Sequence, residues 1–252
     1  MQGLAGQDSI DSGNGNDCLG GGSGSDTLVG GIGDDTLFGG GDGDGGADIL
    51  DGGAGSDVLQ AGAGDDFVSG GSGNDAIAGS EGLDTINGDD DHDTIDGGVE
   101  DDTLSGGNGN DDVTGGDGAD SIYGGLGDNL IKGDGGTFNT LDLAVYLPAA
   151  AAVTVDLLND SASGADDNDT PTSIEAVLGS NHGDSLLGSN ANNSLYGAGG
   201  NDCIQGMQGS DLLDGGSGSS DWVIYDAAAG DVSVSLQAGS ATGAGTDRLL
   251  GV

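Results

Sequence analysis

An aspartate recurs every nine residues along most of this chain. Carboxylates at a fixed interval, with no histidine or cysteine recurring beside them, are oxygen ligands of the kind that hard divalent cations take. Calcium accepts carboxylate and backbone carbonyl oxygens in flexible loops, whereas magnesium prefers compact octahedral geometry, so calcium is the better match. In the first half of the chain the recurring residues are Asp8, Asp17, Asp26, Asp35, Asp48, Asp57, Asp66, Asp75, Asp84, Asp93, Asp102, Asp111, Asp120 and Asn129.

The aspartate occupies the sixth of nine slots in a repeated motif, seen most clearly in residues 21–29 and 30–38. Slots one, two and four are glycine, slot six is aspartate and slot eight is aliphatic. Fourteen repeats lie between residues 3 and 132, and four more begin at residue 179. Slot six is aspartate in 16 of these 18 repeats and asparagine in the other two, a constancy that a solvated acidic face would not require. The second series is Asp184, Asn193, Asp202 and Asp211.

Slots seven to nine predict a short β-strand. Successive side chains of a strand face opposite sides, so slot eight faces inward while slots seven and nine face outward. The glycines of slots one, two and four permit positive φ and close backbone approach, so the chain reverses between strands. Two nonapeptides would then make one turn of a solenoid, and the stacked turns would form two parallel sheets with layers about 4.8 Å apart. The fold class predicted is all-β.

Breaks in the period predict four segments. We expect a first repeat block of fourteen nonapeptides at 3–132 and a strand-rich connector at 133–178. A short second repeat block follows at 179–223, and residues 224–252 form the start of a second, truncated connector. The fifth repeat carries four extra residues within 42–46, which we interpret as a bulged surface loop.

The connector has strand-like alternation at 141–146 and 153–157, and residues 166–169 are interpreted as a loop. Residues 153–157 match residues 232–236 without a gap, so a connector followed by repeats forms one module. Because the chain starts in a repeat and ends inside a module, we expect it to be a fragment of a longer protein.

Three repeats lack glycine where the motif has it. Ser80 and Asp89 occupy slot two, and Asp91 and Glu100 occupy slot four. A side chain at positive φ destabilises the backbone, least for asparagine and aspartate. We therefore expect weak or empty sites near Asp84, Asp93 and Asp102, and further weakening at the neutral Asn129 and Asn193.

The composition supports a cation-dependent fold. The chain has 59 glycines and a net charge of −43, with Lys132 and Arg248 as its only basic side chains. Such a chain is expected to be disordered without a counter-charge and ordered with one. Its charge repels nucleic acid and anionic membrane surfaces, and no apolar run approaches the length of a membrane span.

These repeats resemble the repeats-in-toxin (RTX) family, also called haemolysin-type calcium-binding repeats. The resemblance implies a right-handed parallel β-roll of GGxGxDxUx nonapeptides in two blocks, with several calcium ions held between loops one turn apart. Slot-six aspartate and loop carbonyls would be the ligands, in pairs such as Asp8 with Asp26, Asp17 with Asp35, Asp57 with Asp75 and Asp111 with Asn129. It also implies a secreted bacterial protein that leaves the cell unfolded by type I secretion and folds in external calcium. The metal ligands predicted are Asp8, Asp17, Asp26, Asp35, Asp48, Asp57, Asp66, Asp75, Asp111, Asp120, Asp202 and Asp211.

Other motifs are weaker. Asp89, Asp91, Asp93 and Glu100 lie at EF-hand-like offsets, but Thr94 stands where that loop needs glycine. His92 and His182 have no clustered partner and are interpreted as surface residues. Cys18 and Cys203 are both in slot seven, where a small outward residue is tolerated; an intermolecular disulfide is the alternative.

The sequence thus predicts a non-catalytic, calcium-binding segment that aids secretion or spaces other domains, with no protein partner identified. Two alternatives remain open. The segment could be the roll of a secreted enzyme or toxin whose catalytic part lies outside it. It could also be an adhesin or ice-binding roll, although slot seven is too irregular in threonine to favour this.

Overall fold

The computed structural model describes residues 1–41, 45–134, 142–146, 149–164, 168–225, 233–235, 240–242 and 246–251. Every regular element in those residues is a β-strand, as predicted. No helix with the length and apolar character of a membrane crossing occurs in them. The chain separates into two compact units, Met1–Asp142 and Leu143–Val252.

The first unit contains one strand for each nonapeptide. The strands are β1 Ser9–Asn14, β2 Cys18–Gly22, β3 Thr27–Ile32, β4 Thr36–Gly40, β5 Ile49–Ala54, β6 Val58–Ala63, β7 Phe67–Ser72, β8 Ala76–Glu81, β9 Thr85–Asp90, β10 Thr94–Val99, β11 Thr103–Asn108, β12 Asp112–Asp117, β13 Ser121–Leu126 and β14 Leu130–Lys132.

Alternate strands pair in parallel to give the predicted solenoid. The odd-numbered strands β1 to β13 form one sheet and the even-numbered strands β2 to β14 form the other. Slot eight pairs with slot eight one turn on, as in Ile10 with Leu28 and Leu28 with Leu50. Two nonapeptides therefore make one turn, and the parallel β-roll predicted for this block is confirmed.

The strands are longer than slots seven to nine. In β3, for example, the strand continues through Gly30 and Gly31 to slot three of the next repeat, because Gly31 and Ile32 pair with Gly13 and Asn14 of the preceding turn. Only slots two and four use the left-handed region: Gly31 and Gly33 have φ of 107° and 128°. The slot-one residue Gly30 does not, so the expectation of positive φ in slot one is wrong.

The core of the first unit is a double row of slot-eight side chains. Leu28, Leu37 and Ile122 are fully buried, and the flanking slots are exposed or half-buried, as the alternation predicts. Ile10 in the first strand is only half-buried. Each turn thus buries two aliphatic side chains, which is a thin core for a backbone so rich in glycine.

The four-residue insertion leaves the pairing intact. Thr27 pairs with Ile49 and Thr36 with Val58, so the offset between neighbouring turns rises from 18 to 22 residues at this point in both sheets. The loop predicted at 42–46 includes residues 42–44, which lie outside the described residues.

The second unit has shorter strands. They are β15 Leu143–Val145, β16 Thr154–Asp156, β17 Ser161–Ser163, β18 Asn168–Thr172, β19 Ala176–Leu178, β20 Ser185–Leu187, β21 Ser194–Tyr196, β22 Cys203–Gln205, β23 Leu212–Asp214, β24 Trp222–Val223, β25 Ser233–Ser235, β26 Ser240–Thr242 and β27 Thr246–Leu250. Within this unit one sheet has the order β15-β19-β21-β23-β27-β26-β25, and the other has the order β18-β17-β16-β20-β22-β24.

The connector adds antiparallel pairs to the parallel stacking. β17 pairs antiparallel with both β16 and β18. The loop interpretation of residues 166–169 is therefore wrong for Asn168 and Asp169, which pair with Ser163 and Ala162; residues 166 and 167 lie outside the described residues. Ladder hydrogen bonds with β17 override the polar composition that indicated a loop.

The second connector copy has the same hairpin as the first. Val155 pairs antiparallel with Ala162, and the matching Val234 pairs antiparallel with Ala241. The 79-residue offset found between these segments in the sequence thus corresponds to one repeated pairing. The four-segment division itself stays a prediction.

Candidate metal centre

The slot-six side chains form two rows along the first unit, one for each sheet. Each aspartate immediately precedes its strand and lies one turn from its neighbours in the row. One row contains Asp8, Asp26, Asp48, Asp66, Asp84, Asp102 and Asp120; the other contains Asp17, Asp35, Asp57, Asp75, Asp93, Asp111 and Asn129. Asp8 and Asp17 at the first turn are half-buried, and the remaining members are buried.

Each member of a row is hydrogen-bonded to the next. The backbone N–H of Asp8 donates to Oδ1 of Asp26 at 2.7 Å, and that of Asp17 donates to Oδ1 of Asp35 at 2.8 Å. The same bond joins the other two pairs named from the sequence, Asp57 with Asp75 at 2.8 Å and Asp111 with Asn129 at 2.9 Å. Insertion of four residues does not break it, since Asp26 N–H reaches Asp48 Oδ1 at 2.7 Å.

The second carboxylate oxygen has no such partner. Oδ2 is buried and accepts no hydrogen bond in twelve of the described slot-six aspartates. A buried carboxylate oxygen without a donor or a cation is strongly unfavourable. Its recurrence indicates a cation ligand at a regular interval. The twelve are Asp26, Asp35, Asp57, Asp66, Asp75, Asp84, Asp93, Asp102, Asp111, Asp120, Asp202 and Asp211.

Slot-one glycines bring this oxygen beside a backbone carbonyl. A Cβ at Gly30 would lie 2.5 Å from Asp35 Oδ2 and 2.6 Å from the carbonyl oxygen of Gly52, one turn on. A Cβ at Gly52 would meet Asp57 Oδ2 at 2.6 Å and the Gly70 carbonyl oxygen at 2.5 Å. Slot one is therefore glycine because two oxygens from adjacent turns converge on the space that a side chain would fill.

The donor set is made of oxygen atoms alone. Among the described residues, no three histidine, cysteine, aspartate or glutamate side chains converge in a way that could hold a metal. A cation here would instead combine few carboxylates with backbone carbonyls. That combination fits calcium, which takes 6–8 oxygen ligands in flexible loops, and does not fit zinc.

Burial raises the pKa of several slot-six carboxyls in the metal-free chain. Burial, opposed by the backbone hydrogen bond and reinforced by repulsion from neighbouring carboxylates, raises the pKa of Asp66 to about 7. The same causes raise the pKa of Asp93 and Asp102 to about 7. The rows thus carry negative charge that the fold alone does not stabilise, and a bound cation would favour the ionised form.

Three aspartates that the nonapeptide pattern did not identify extend the rows. Asp142 accepts from Asp120 N–H at 3.1 Å, Asp221 from Asp202 N–H at 2.9 Å and Asp247 from Asp211 N–H at 3.1 Å. Each begins an Asp-x-aliphatic (or Asp-x-Ala) triplet. Asp142 has no glycine in slots one, two and four, Asp221 follows the glycines of 215–218 after one extra residue, and Asp247 has no glycine in slot one. That triplet, read without the glycines, is the signal that could have identified them.

The repeats that lack glycine keep the geometry of the others. Ser80, Asp89, Asp91 and Glu100 take positive φ of 94°, 77°, 80° and 78°, as expected for slots two and four. The adjacent Asp84, Asp93 and Asp102 remain buried and hydrogen-bonded in their rows. The weak binding expected at these turns stays a prediction.

Asn129 shows what a neutral slot-six residue does. Its Oδ1 accepts from Asp111 N–H, as an aspartate would, while its Nδ2 donates to the carbonyl of Gly127 at 3.2 Å. The amide keeps the row bond and replaces the second carboxylate oxygen by a donor, which cannot bind a cation.

Among the residues that the structure describes, the other polar side chains do not assemble a second centre. His92 is exposed in its turn, with Nδ1 accepting from Asn110 N–H at 2.7 Å. No helix flanks the EF-hand-like residues: Asp89 lies in β9, Asp91 and Asp93 lie between β9 and β10, and Glu100 directly follows β10. Cys18 and Cys203 are free, on outward slot-seven positions.

Comparison with known families matches the repeats to one family model, described as RTX calcium-binding nonapeptide repeat (4 copies). The matches cover well over half of the chain, at residues 1–28, 20–44, 42–77, 69–104, 105–137, 178–213 and 187–220. No curated protein matches the chain.

Proposed function

The chain belongs to the RTX calcium-binding nonapeptide repeat family, and on that basis we propose that it is a β-roll whose folding depends on calcium. The buried Oδ2 atoms are the observation that carries this proposal. Each of the twelve is placed by its row bond, excluded from water and left without a donor. Calcium would supply the missing positive charge, and backbone carbonyls of the turns would bind the ion together with the carboxylates.

The ligands we propose are the slot-six carboxylates together with turn carbonyls. They are Asp8, Asp17, Asp26, Asp35, Asp48, Asp57, Asp66, Asp75, Asp111, Asp120, Asp202 and Asp211. Asp84, Asp93 and Asp102 would bind more weakly, because their turns place Ser80, Asp89, Asp91 and Glu100 at positive φ. Asp142, Asp221 and Asp247 join the set where they continue a row.

Calcium binding and folding would be one process. Without calcium, like charges oppose stacking, and the two aliphatic side chains buried per turn compensate only in part for ordering a glycine-rich backbone. With calcium, each ion joins adjacent turns, so one turn helps to order the next. The affinity expected is about 10⁻⁴ to 10⁻³ M, the range of extracellular calcium modules.

That range supports a secreted role. A chain that is unfolded at low cytosolic calcium and folded outside would suit type I secretion, and the folded roll would aid release or space other domains. If the parent protein carries a catalytic domain, this segment is the roll of a secreted enzyme or toxin; the flanking sequence decides between these roles. The slot-seven row of one sheet, with Thr27, Ile49 and Phe67 side by side, does not favour an ice-binding array.

Circular dichroism tests the proposal. Calcium added to the chelated chain should produce a steep, cooperative rise in β-sheet signal, excess chelator should reverse it, and equal magnesium should produce a smaller change. A full β-sheet signal in excess chelator would refute the proposal.

A further inference from the structure

Two turns of the second unit are built differently from the others. They precede Asp184 and Asn193, at residues 179–184 and 188–193. No residue in either turn has positive φ. The next turn returns to the usual form, with φ of 67° at Ala198 and 123° at Gly200.

A serine in slot two closes each of these turns. Ser180 donates to the carboxylate of Asp184 twice, from N–H to Oδ2 at 2.6 Å and from Oγ to Oδ1 at 2.8 Å. Ser180 Oγ in turn accepts from the N–H of His182 in slot four, at 3.0 Å. Serine thus supplies the slot-six side chain with donors and also ties slot four to slot two.

The second turn repeats this network with different residues around it. Ser189 donates to Oδ1 of Asn193 from N–H at 2.8 Å and from Oγ at 3.2 Å. Its Oγ accepts from the N–H of Ala191, again in slot four, at 3.1 Å. The network occurs where a slot-two serine is combined with a residue other than glycine in slot four, here His182 and Ala191. Ser80, whose turn keeps Gly82 in slot four, instead has a positive φ of 94° and leaves Asp84 Oδ2 without a hydrogen bond.

The consequence is visible at the slot-six carboxylate. Asp184 is buried, and its two oxygens accept three hydrogen bonds, the third from Val153 N–H at 2.8 Å. Asp202, one turn on and equally buried, accepts a bond only at Oδ1 and leaves Oδ2 without one. In the first turn of the chain, Leu4 N–H also reaches Asp8 Oδ2, but leucine has no hydroxyl and Gly6 keeps positive φ.

We propose that Ser180 and Ser189 decide which turns take calcium: they close their own turns with hydrogen bonds and so exempt Asp184 and Asn193 from the calcium sites. This inference rests on the proposed function, because it divides the turns by their need for calcium. The strands that follow, β20 and β21, are then held in place without calcium, while β1 to β14 are not. The second unit contains a calcium-independent segment beside turns that need the ion.

Amide hydrogen exchange of the full chain in excess chelator tests this inference. The strand amides at 185–187 and 194–196 should exchange slowly in the parent chain. Ser180→Ala and Ser189→Ala should each raise that rate by roughly 10-fold, the effect of one lost buried hydrogen bond. Ser210→Ala is the matched control, since Ser210 is an exposed slot-five residue. Its hydrogen bond to Asn192 is donated by the backbone N–H, which the variant keeps. Ser189→Thr, which keeps the hydroxyl, should behave like the parent.

Every result of this exchange experiment either supports or overturns the inference. Fast exchange of 185–187 and 194–196 in the chelated parent would overturn the inference, and so would slow exchange that the two alanine variants leave unchanged. The proposed function is judged separately, on whether calcium protects the amides of residues 9–132 in the same experiment. If calcium does not slow exchange of those amides, calcium-driven folding is refuted. The exchange rates at 185–187 and 194–196 in chelator still decide the inference about the two serines.

Discussion

The two oxygens of a slot-six carboxylate have separate roles. Oδ1 accepts the backbone N–H of the preceding turn and so sets the register of the stack. Oδ2 and a carbonyl oxygen of the following turn both lie beside the slot-one glycine, and Oδ2 makes no hydrogen bond. A substitution that preserves the first oxygen and replaces the second therefore separates the structural role from the binding role.

Asp66→Asn is that substitution. The amide oxygen can still accept from Asp48 N–H, but the amide nitrogen takes the place of Oδ2, as it does naturally at Asn129. We expect the calcium midpoint of folding to rise by about 10-fold, because a charged partner contributes about 1.5–3 kcal/mol. Asp65→Asn removes the same charge from an exposed neighbour and should leave the midpoint nearly unchanged. Equal shifts in the two variants, measured by circular dichroism, would show that only net charge matters.

The raised pKa values predict opposite pH dependences with and without calcium. Burial raises the pKa of Asp66, Asp93 and Asp102 to about 7, above that of an unfolded aspartate. Folding of the metal-free chain is therefore favoured where these groups are protonated, and that advantage is lost as the pH rises from about 4, near the unfolded pKa, to about 7, the folded pKa. Calcium binding requires the carboxylate and should weaken as the pH falls over the same range.

The measurement is β-sheet signal at pH 5 and pH 8, with calcium removed by gel filtration so that no chelator titrates. The metal-free chain should show more structure at pH 5, and the calcium midpoint should be lower at pH 8. More structure in the metal-free chain at pH 8 would contradict the assignment of these groups as buried and unpaired.

Each turn depends on glycine for two different reasons. Slots two and four need positive φ, whereas slot one needs the absence of a side chain next to an aspartate oxygen and a carbonyl. The first reason was predictable from glycine itself. The second required the structure, because a contact between residues one turn apart leaves no mark in the local sequence.

Gly30→Ala tests the slot-one reason. The added methyl would lie 2.5 Å from Asp35 Oδ2 and 2.6 Å from the Gly52 carbonyl oxygen. We expect a loss of about 1–3 kcal/mol in the free energy of unfolding in calcium, the cost of overpacking. Gly41→Ala is the control, since its Cβ would meet nothing within 4 Å. If urea unfolding shows the same small effect for both, slot one is glycine for some other reason.

Glu100→Gly tests the turns that depart from the motif. Glu100 has φ of 78°, where a side chain is disfavoured by about 1–2 kcal/mol, so glycine should stabilise the calcium-bound chain by about 1 kcal/mol. The comparison is Glu81→Gly, which removes an exposed glutamate from a strand at ordinary φ and should instead destabilise the chain. Lower stability of Glu100→Gly in urea unfolding would mean that the glutamate side chain contributes more than its backbone costs.

The nonapeptide made most of the first unit predictable. The aliphatic residues of slot eight predicted the core, as at Leu28. The nine-residue period predicted which strands pair, including the pairing of Leu28 with Leu50 across the insertion. Asp221 escaped prediction because one extra residue separates it from the glycines of 215–218, and Asp247 because its turn lacks the slot-one glycine. The serine-closed turns escaped because Asp184 occupies slot six like any other aspartate. Its surroundings differ in the combination of a slot-two serine, Ser180, with a slot-four residue other than glycine, His182.

For the whole molecule, the large negative charge and the small core both indicate that the fold needs added positive charge. The chain carries a net charge of −43, and the one ion pair between side chains found among the described residues joins Lys132 to Asp112 at 2.6 Å. A core of two aliphatic side chains per turn does little to offset repulsion between stacked carboxylates. The cations that we propose at regular intervals would resolve both difficulties, since they would neutralise charge and join one turn to the next.

The most direct test of this account is anomalous diffraction from a crystal grown in calcium. We expect calcium peaks beside Oδ2 of the buried slot-six aspartates, including Asp26, Asp57 and Asp66, and none at Asp184. Calcium found only at exposed carboxylates such as Asp34, with the buried Oδ2 atoms free of metal, would contradict it.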